Sequence, residues 1–271
     1  GRLMRAGLVQ LTVGDDPAEN LPETVALLRA AVQGGAGFVL TPECTNALSS
    51  NRARQRERFR PEDQDETLAA LRDEAARAGI WLLVGSLGVL TDDADGRFAN
   101  RSFLIGPDGG IAARYDKIHL FDADLGEGQR YEESARFSAG QQAVVAHGTD
   151  YVVGMTVCYD MRFPALYRDL ALAGAQLITV PSSFTVPTGQ AHWHVLLRAR
   201  AIENQCYLLA VGQGGRHENG RLTHGNSMIV DPWGEILDRK MKGPGVVIAD
   251  LDHARIAEIR ESLPALAHRI L

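Results

Sequence analysis

The feature that most constrains the fold of this sequence is a repeated alternation of short apolar runs with amphipathic helical patterns. Residues 4–13 predict a strand, residues 17–33 a helix, and residues 37–40 a second strand. The same order returns in the second half, where a strand runs into Cys158 and a helix follows at residues 164–173. Alternating strands and helices of this kind indicate the α/β class.

Further strands and helices complete the pattern. The predicted strands lie at residues 80–90, 97–105, 111–115, 151–157, 176–180, 206–212, 227–231, 236–238 and 246–250, and the predicted helices at residues 61–78 and 191–203. Turn sequences at residues 106–110 and 231–234 predict antiparallel pairing of the strands that flank them. Paired helices on mixed sheets favour a layered sandwich, although composition alone leaves a barrel open.

Length and composition predict a single domain. A chain of 271 residues with 45% hydrophobic content can bury a large core. Between the apolar runs there is no Pro-, Gly- or Ser-rich stretch of linker length, and the loop at residues 212–225 is too short and too polar to separate two cores. We therefore expect one domain over residues 1–271.

The charge of the chain argues against nucleic acid as a partner. The formal net charge is -6, whereas nucleic-acid binding relies on clustered Lys and Arg that displace counterions from phosphates. An arginine-rich stretch at residues 51–58 is interpreted as a solvated loop or helix face, because acidic residues follow at 61–66.

Cysteine usage and hydropathy predict a cytoplasmic protein without a membrane partner. Three cysteines do not make a disulfide framework, and the amino terminus lacks the basic-then-apolar pattern of a secretory signal. The best apolar run, around Cys158, is broken by Arg168 and Asp169 before it could span a bilayer.

Three predicted strands end in groups that could perform chemistry. Glu43 follows the strand at residues 37–40, Lys117 follows residues 111–115, and Cys158 ends residues 151–157. If these strands lie side by side and parallel, the three side chains meet at one edge of the sheet. Spacing alone does not establish that arrangement.

Taken together, these stretches resemble the nitrilase, or carbon-nitrogen hydrolase, superfamily. The resemblance rests on five stretches: residues 42–43, 115–122, 158–164, 198–203 and 231–234. Residues 117–122 and 191–193 are similar to the Nit-type amidases, a branch that includes deaminated glutathione amidase and omega-amidase. The resemblance implies a four-layer αββα sandwich, a Glu-Lys-Cys catalytic set of Glu43, Lys117 and Cys158, and a homodimer or higher homo-oligomer formed through helical faces.

The physical chemistry of these three groups fits cleavage of a carbon-nitrogen bond. A free thiol is only slightly ionised near neutral pH, so Cys158 as a nucleophile needs a base, which Glu43 can supply. Negative charge then develops on the carbonyl oxygen, where the Lys117 ammonium and the amide of Tyr159 are candidate donors. Lys117 would also favour the thiolate. The expected reaction is hydrolysis of a small carboxylate-bearing amide through a thioester, with loss of ammonia.

The resemblance adds a second glutamate to the catalytic set. Residues 128–134 offer two adjacent choices, and side chains of neighbouring residues in an extended segment point to opposite sides. Similarity to the Glu-Ser pair of the family selects Glu133, with Glu127 and Glu132 as weaker options.

Three residues are candidate substrate contacts: Tyr159, Arg162 and Trp193. Arg162 lies close enough to Cys158 in sequence to bind a substrate carboxylate, or it pairs with Asp160 or another acid and stiffens the turn. Trp193 lines the substrate entrance or packs in the core.

No metal and no organic cofactor is expected, because the thiol mechanism needs neither. The spacing of His192 and His194 would suit a metal on a strand, but the helical pattern around them separates their side chains. Cys44 and Cys206 are interpreted as packing residues.

Four rival functions remain open at the level of sequence. Hydrolysis of N-carbamoyl amino acids or of nitriles would use the same cysteine site. A metallohydrolase would be inhibited by a chelator instead of a thiol alkylator. A non-catalytic binding module on the same scaffold is the rival from another class.

Overall fold

The computed structural model describes residues 3–271, in which helices and strands alternate along the chain. The helices are α1 (Pro17–Gln33), α2 (Arg52–Arg58), α3 (Glu66–Ala78), α4 (Pro164–Leu172), α5 (Val186–Thr188), α6 (His194–Asn204) and α7 (His253–Ser262). Short 3₁₀ turns lie at Glu62–Gln64, Glu133–Ala135 and Cys158–Arg162, and a π-helical turn lies at Gly189–Trp193.

Most of the strands belong to two large sheets. The strands are β1 (Leu3–Gln10), β2 (Phe38–Leu40), β3 (Trp81–Leu90), β4 (Phe98–Ile105), β5 (Ile111–Asp116), β6 (Asp122–Asp124), β7 (Arg130–Glu132), β8 (Phe137–Ser138), β9 (Val144–Ala146), β10 (Val153–Met155), β11 (Leu177–Ser182), β12 (Tyr207–Gly212), β13 (Gly214–Arg216), β14 (Leu222–His224), β15 (Ser227–Val230), β16 (Ile236–Lys240) and β17 (Gly245–Asp252).

Each large sheet has a parallel centre and antiparallel edges. The first, seven-stranded sheet has the order β17-β1-β2-β3-β4-β5. Its central strands β1, β2 and β3 are parallel, and the short strand β8 pairs in parallel with β4. The second, six-stranded sheet has the order β16-β15-β12-β11-β10-β9, and its parallel strands are β10, β11 and β12. Two small hairpins, β6–β7 and β13–β14, lie outside both sheets.

The two sheets pack face to face, and helices cover their outer faces. Leu8 and Leu40 of the first sheet share one apolar cluster with Met155 and Val180 of the second, which is the layer between the sheets. A second cluster joins α1 and α3 to the other face of the first sheet, while α4 and α6 pack on the second sheet. This arrangement confirms the predicted αββα sandwich.

A close approach between the sheets explains one glycine of β3. A Cβ on Gly85 would lie 2.0 Å from the Thr41 carbonyl oxygen and 2.6 Å from the Pro181 Cβ of β11. A methyl group does not fit at those distances, so only glycine lets β3 come this near to both chain segments. The contact joins the residues just before Glu43 to a strand of the opposite sheet.

Most predicted elements are found, and the largest differences concern where they begin and end. The helix predicted at residues 61–78 begins only at Glu66, where the Asp65 carboxylate accepts a hydrogen bond from the Leu68 N–H (2.7 Å). The strand predicted at residues 151–157 ends at Met155, because the Val157 N–H donates to a side chain further along the chain.

Candidate active site

The three predicted reactive groups come together by a route that differs from the predicted one. The strands before Glu43 and Lys117, β2 and β5, belong to the first sheet, but two other strands separate them and β5 is antiparallel to its neighbour. The strand before Cys158, β10, belongs to the second sheet. The expectation of side-by-side parallel strands is therefore wrong, and the groups converge because the two sheets face each other.

Lys117 lies between two carboxylates. Its Nζ is 3.0 Å from Glu43 Oε2 and 2.8 Å from Glu133 Oε1. The Asn100 side chain completes the cluster, since its Nδ2 donates to Glu43 Oε2 (2.9 Å) and to Glu133 Oε2 (3.0 Å). The Lys117 and Glu43 residues are 2% and 3% exposed, so this ion cluster is almost free of solvent.

The second oxygen of Glu43 is held by Ser183, from the end of the β11 segment. The Ser183 N–H and Oγ donate to Glu43 Oε1 over 2.9 and 2.6 Å. Burial opposes ionisation of Glu43, but Lys117, Ser183 and Asn100 outweigh it and lower its pKa to about 2. Glu43 is therefore a carboxylate at neutral pH, with both of its oxygens fixed.

The charge state of Lys117 follows from the same contacts. Burial disfavours the ammonium, but the Coulombic attraction of Glu133 and then of Glu43 outweighs burial and raises the pKa of Lys117 well above its usual value. A permanently charged ammonium, held by two acceptors, is thus present at the centre of the site.

Cys158 sits at a sharp turn directly after the β10 segment. Its φ is 47°, a left-handed conformation that side chains other than glycine adopt at a cost in free energy. Burial and then the Glu43 carboxylate raise the pKa of the thiol to about 12, and Lys117 offsets them only in part. The resting group is therefore a thiol, 7% exposed, next to a carboxylate that can accept its proton.

A buried carboxylate, Asp160, connects the cysteine turn to the lysine turn. Its Oδ2 accepts hydrogen bonds from the Val157 N–H (2.9 Å) and from the Tyr115 hydroxyl (2.5 Å). Its Oδ1 accepts one from the His119 N–H (3.0 Å) and lies 2.7 Å from His119 Nδ1. The segments that carry Cys158 and Lys117 are thereby fixed relative to each other.

A cavity of about 350 Å³ opens onto these groups. Glu43, Lys117, Glu133 and Cys158 all line it, so the structure brings the four predicted catalytic residues to one wall. Another part of the lining is aromatic and consists of Phe59, Phe121, Tyr131 and Phe137. Three arginines also line the cavity: Arg130, Arg136 and Arg221. Such a cavity suits a small molecule with an apolar chain and a charged end.

The three candidate glutamates differ in their position relative to Lys117. Glu133 begins the 3₁₀ turn that follows β7 and reaches Lys117, whereas Glu132 forms an exposed ion pair with Arg130 (2.7 Å). Glu127 lies at an exposed loop position with a φ of 53°.

The three predicted substrate contacts do not line this cavity. The Tyr159 ring packs between Phe121 and Phe163, with ring centroids 5.0 and 5.3 Å away. Only its backbone N–H stays beside the nucleophile, and within residues 3–271 that N–H donates to no protein acceptor. Tyr159 is therefore available through its main chain and not through its ring.

Trp193 and Arg162 occupy a different region behind the cysteine turn. Trp193 is fully buried, and its Nε1 donates to the Asn226 carbonyl oxygen (3.0 Å), so the packing alternative describes it. The Arg162 guanidinium lies 5.5 Å from the centroid of the Phe184 ring, and its Nη2 is 3.2 Å from His192 Nδ1. It does not pair with Asp160, whose oxygens are already occupied.

Asn100, Ser183 and Asp160 are the site residues that sequence reasoning missed. Asn100 lies inside β4 and Ser183 follows β11, positions with no local signal that distinguishes them from any polar residue of a strand. Asp160 stands in the same stretch as Cys158, where the sequence suggests it only as an ion-pair partner of Arg162. Tyr115 and Asp160 lie in the two stretches that carry Lys117 and Cys158. Their presence in these stretches is the one sequence signal that could have pointed to Asp160.

Among residues 3–271 the structure contains no group of three or more His, Cys, Asp or Glu side chains that could hold a metal ion. His192 and His194 instead contact two arginines, at 3.2 Å from Arg162 and 2.8 Å from Arg239. Within the same residues no helix has both the length and the apolar character that crossing a membrane requires.

A comparison with protein families decides the relationship of this chain. The model of the carbon-nitrogen hydrolase family matches residues 5–261. The chain belongs to the carbon-nitrogen hydrolase family. This confirms the resemblance drawn from the sequence, and it makes the chain a hydrolase of carbon-nitrogen bonds other than peptide bonds.

Relatives and solved structures agree with the family over nearly the whole chain. A deaminated glutathione amidase of Synechocystis sp. is 39% identical over 267 residues, which cover 98% of this chain and 97% of that protein. The crystal structure of the C. elegans NitFhit protein has a TM-score of 0.91 and 32% identity, and the match covers 98% of this chain and 65% of that one. An amidase from Nesterenkonia sp., solved with acrylamide added to its active-site cysteine, has a TM-score of 0.79 and 28% identity, and the match covers 96% of this chain and 98% of that one.

Proposed function

We propose that this carbon-nitrogen hydrolase cleaves the amide bond of a small carboxylate-bearing amide through a thioester on Cys158. The observation that carries the proposal is the shared cavity wall, where the buried cluster of Glu43, Lys117 and Glu133 lies beside the cysteine. In a mutant of the Nesterenkonia amidase the active-site cysteine adds to acrylamide by Michael addition, which shows a nucleophilic cysteine in a related amidase and supports a nucleophilic cysteine here.

In the acylation step, the Cys158 sulfur attacks the amide carbonyl carbon. Because the thiol has a pKa of about 12 and Glu43 one of about 2, a free thiolate is disfavoured, and the proton passes to Glu43 as the carbon–sulfur bond forms. The electron pair of the carbonyl moves to its oxygen. The Lys117 ammonium and the Tyr159 N–H stabilise this oxyanion.

Collapse of the oxyanion breaks the carbon–nitrogen bond. The leaving nitrogen takes the proton from Glu43 and departs as ammonia or an amine, which leaves an acyl thioester on Cys158. Water then gives a proton to the same carboxylate and attacks the thioester carbonyl, and the sulfur leaves with that proton. Glu133 neither accepts nor donates a proton in this scheme. Its role is to position the Lys117 ammonium, whose Nζ lies 2.8 Å from Glu133 Oε1.

The names of the relatives point to the substrate class. Deaminated glutathione amidases are 34–39% identical to this chain, and deaminated glutathione is an amide that carries carboxylates. In that compound the amide nitrogen belongs to a peptide, so the leaving group would be that amine. Ammonia is expected only from primary amides such as 2-oxoglutaramate, the omega-amidase type of substrate.

A substrate screen tests the proposal. The purified protein should release the peptide amine from deaminated glutathione or ammonia from 2-oxoglutaramate, and it should release no ammonia from simple nitriles. An N-carbamoyl amino acid tests the alternative substrate class. Its hydrolysis is detected by the release of carbon dioxide together with ammonia. Activity lost to a chelator but not to iodoacetamide would reject the thiol mechanism.

The exposed apolar residues of α6 support a homodimer. Val195 and Ile202 are 66% and 47% exposed, and Trp233, on the turn beside Ile202, is 55% exposed. We propose that this face, together with the apolar end of the chain at residues 263–271, pairs with a second copy. Light scattering at micromolar concentration should give twice the monomer mass, and Val195→Glu with Ile202→Glu should give the monomer. A monomeric parent protein would contradict this arrangement.

We also propose a cytoplasmic location, in keeping with three cysteines that are all free in the structure. Fractionation of the source cells should place the protein with cytoplasmic markers. Its recovery in a membrane or exported fraction would reject this location.

A further inference from the structure

Two arginines of the cavity wall lack a carboxylate partner. Within residues 3–271, Arg136 and Arg221 form no ion pair, whereas every carboxylate of the same wall is paired. Glu43 and Glu133 share Lys117, and Glu132 pairs with Arg130. The described part of the wall therefore presents two guanidinium groups that form no ion pair with a carboxylate.

Arg221 occupies the inner of these positions. It precedes β14, its guanidinium lies 5.4 Å from the centroid of the Tyr131 ring, and its Nη2 donates to the Ser183 carbonyl oxygen (3.4 Å). Ser183 is the residue whose N–H and Oγ hold Glu43. The Arg221 Nε is buried and has no acceptor in the described protein, which is an unfavourable state for a charged donor.

Arg136 occupies an outer position, next to the 3₁₀ turn that carries Glu133. Its Nη2 donates to the Ser50 carbonyl oxygen (2.9 Å) and its Nη1 lies 3.5 Å from Gln55 Oε1, so its contacts are neutral. Burial, together with the nearby Arg52, lowers the pKa of this guanidinium. A bound anion would relieve both effects.

We infer that Arg221 and Arg136 are the substrate-binding residues that select an amide with two carboxylates, one on the acyl side and one on the leaving amine. Arg221, beside the residue that holds Glu43, binds the acyl-side carboxylate. Arg136 binds the carboxylate of the leaving group. A guanidinium can donate two parallel hydrogen bonds to a carboxylate, which gives both affinity and orientation. Phe121 and Phe137 provide an apolar surface for the chain between the charges.

Matched substrate pairs test each arginine, and this test rests on the proposed function. For Arg136, the pair is deaminated glutathione and the same compound with its glycine carboxylate converted to a carboxamide. Arg136→Gln should lower kcat/KM for the first by about 10- to 100-fold, mainly through KM, and for the second by less than about 3-fold. An equal loss on both substrates would show a structural role and overturn the assignment.

For Arg221, the pair is glutaramate, which carries an acyl-side carboxylate, and valeramide, which has the same chain without it. The parent protein should prefer glutaramate, and Arg221→Gln should reduce that preference by about 10- to 100-fold. Arg221→Lys keeps the charge but not the fork and should restore part of it. An unchanged preference in Arg221→Gln would overturn the assignment.

Arg130→Gln is the matched control, because Arg130 lines the same cavity but is already paired with Glu132. It should change every kcat/KM by less than about 3-fold. If the parent protein hydrolyses none of these amides, the proposed function fails, and the arginine assignment is tested separately by alkylation. Glutarate, which matches the acyl half of the substrate, should slow iodoacetamide labelling of Cys158 in every one of these proteins except Arg221→Gln, and alanylglycine, which matches the leaving half, should do so in every one except Arg136→Gln. Equal protection in all four proteins would overturn the assignment.

Discussion

Replacing Cys158 by alanine is expected to abolish amide hydrolysis, with kcat/KM reduced by about 1,000-fold or more. The sulfur is the atom that forms the proposed thioester, and alanine has no nucleophilic atom to replace it. Glu43 and Lys117 remain in the variant, but no nucleophile is left to attack the carbonyl of the bound amide. The measurement is the rate of hydrolysis of 2-oxoglutaramate and of deaminated glutathione at limiting and at saturating substrate concentrations.

Cys44→Ala is the control for this prediction. Cys44 lines the same cavity and directly follows Glu43, but it packs against the apolar cluster that joins α1 and α3 to the first sheet, so it is interpreted as a packing residue and is not expected to react. The control should keep kcat/KM within about 3-fold of the parent. Circular dichroism shows whether both variants are folded. A folded Cys158→Ala protein with more than a tenth of the parent activity would show that the chemistry lies elsewhere.

The second large effect is expected from Lys117→Met, on stability as well as on activity. The side chain of Lys117 is almost fully buried between Glu43 and Glu133, and methionine has a similar volume but no charge. Removing one partner of a buried ion pair leaves an uncompensated charge, which typically costs about 3–5 kcal/mol in the free energy of unfolding. Urea unfolding at pH 7 measures this loss, and the activity should fall below detection because the oxyanion loses its main donor.

The pH dependence distinguishes this explanation from simple loss of packing. The folded-state pKa of Glu43 is lowered to about 2, so its ionisation stabilises the parent protein above the unfolded pKa of about 4, and that contribution is lost as the pH falls from about 5 to 2. Without Lys117, burial dominates and favours the protonated acid. The stability difference between parent and variant should therefore shrink between pH 7 and pH 4.

Arg114→Met provides the comparison for Lys117→Met. Arg114 lies on β5, three residues before Lys117, and also pairs with a glutamate, Glu62 (2.7 Å), but its side chain is half-exposed. Exposed pairs contribute little, so this variant should lose less than about 1 kcal/mol. If Lys117→Met cost no more than Arg114→Met, or if its cost were independent of pH, the buried ion cluster would not have the energetic role described above.

Elements with strong local signals were predicted well from the sequence. Helix α1 spans Pro17–Gln33 as predicted, because Asp16 caps its first turn and Gly34 ends it. The family resemblance predicts Glu43, Lys117 and Cys158 as catalytic residues because each belongs to a distinctive stretch, and each follows an apolar run whose end is visible in the sequence. These are features that neighbouring residues determine.

Features that depend on contacts between distant segments were not predicted. Periodicity shows that β2 and β10 are strands, but it does not show that they belong to different sheets. The burial of Trp193 depends on Phe184 and Asn226, which lie on other segments of the chain. The unpartnered Nε of Arg221 has no sequence signal either, since it depends on which groups are absent from its surroundings.

The buried Asp160 has a consequence for how this scaffold changes during evolution. Because one carboxylate receives donors from the turn before Cys158 and from the residues around Lys117, the two halves of the reacting centre behave as one rigid body. The β6–β7 hairpin, whose strands pair only with each other, and the side chain of Arg136, which contacts Ser50 and Gln55, do not take part in these hydrogen bonds. Selection can thus exchange the groups that choose an amide while the parts that break it keep their alignment.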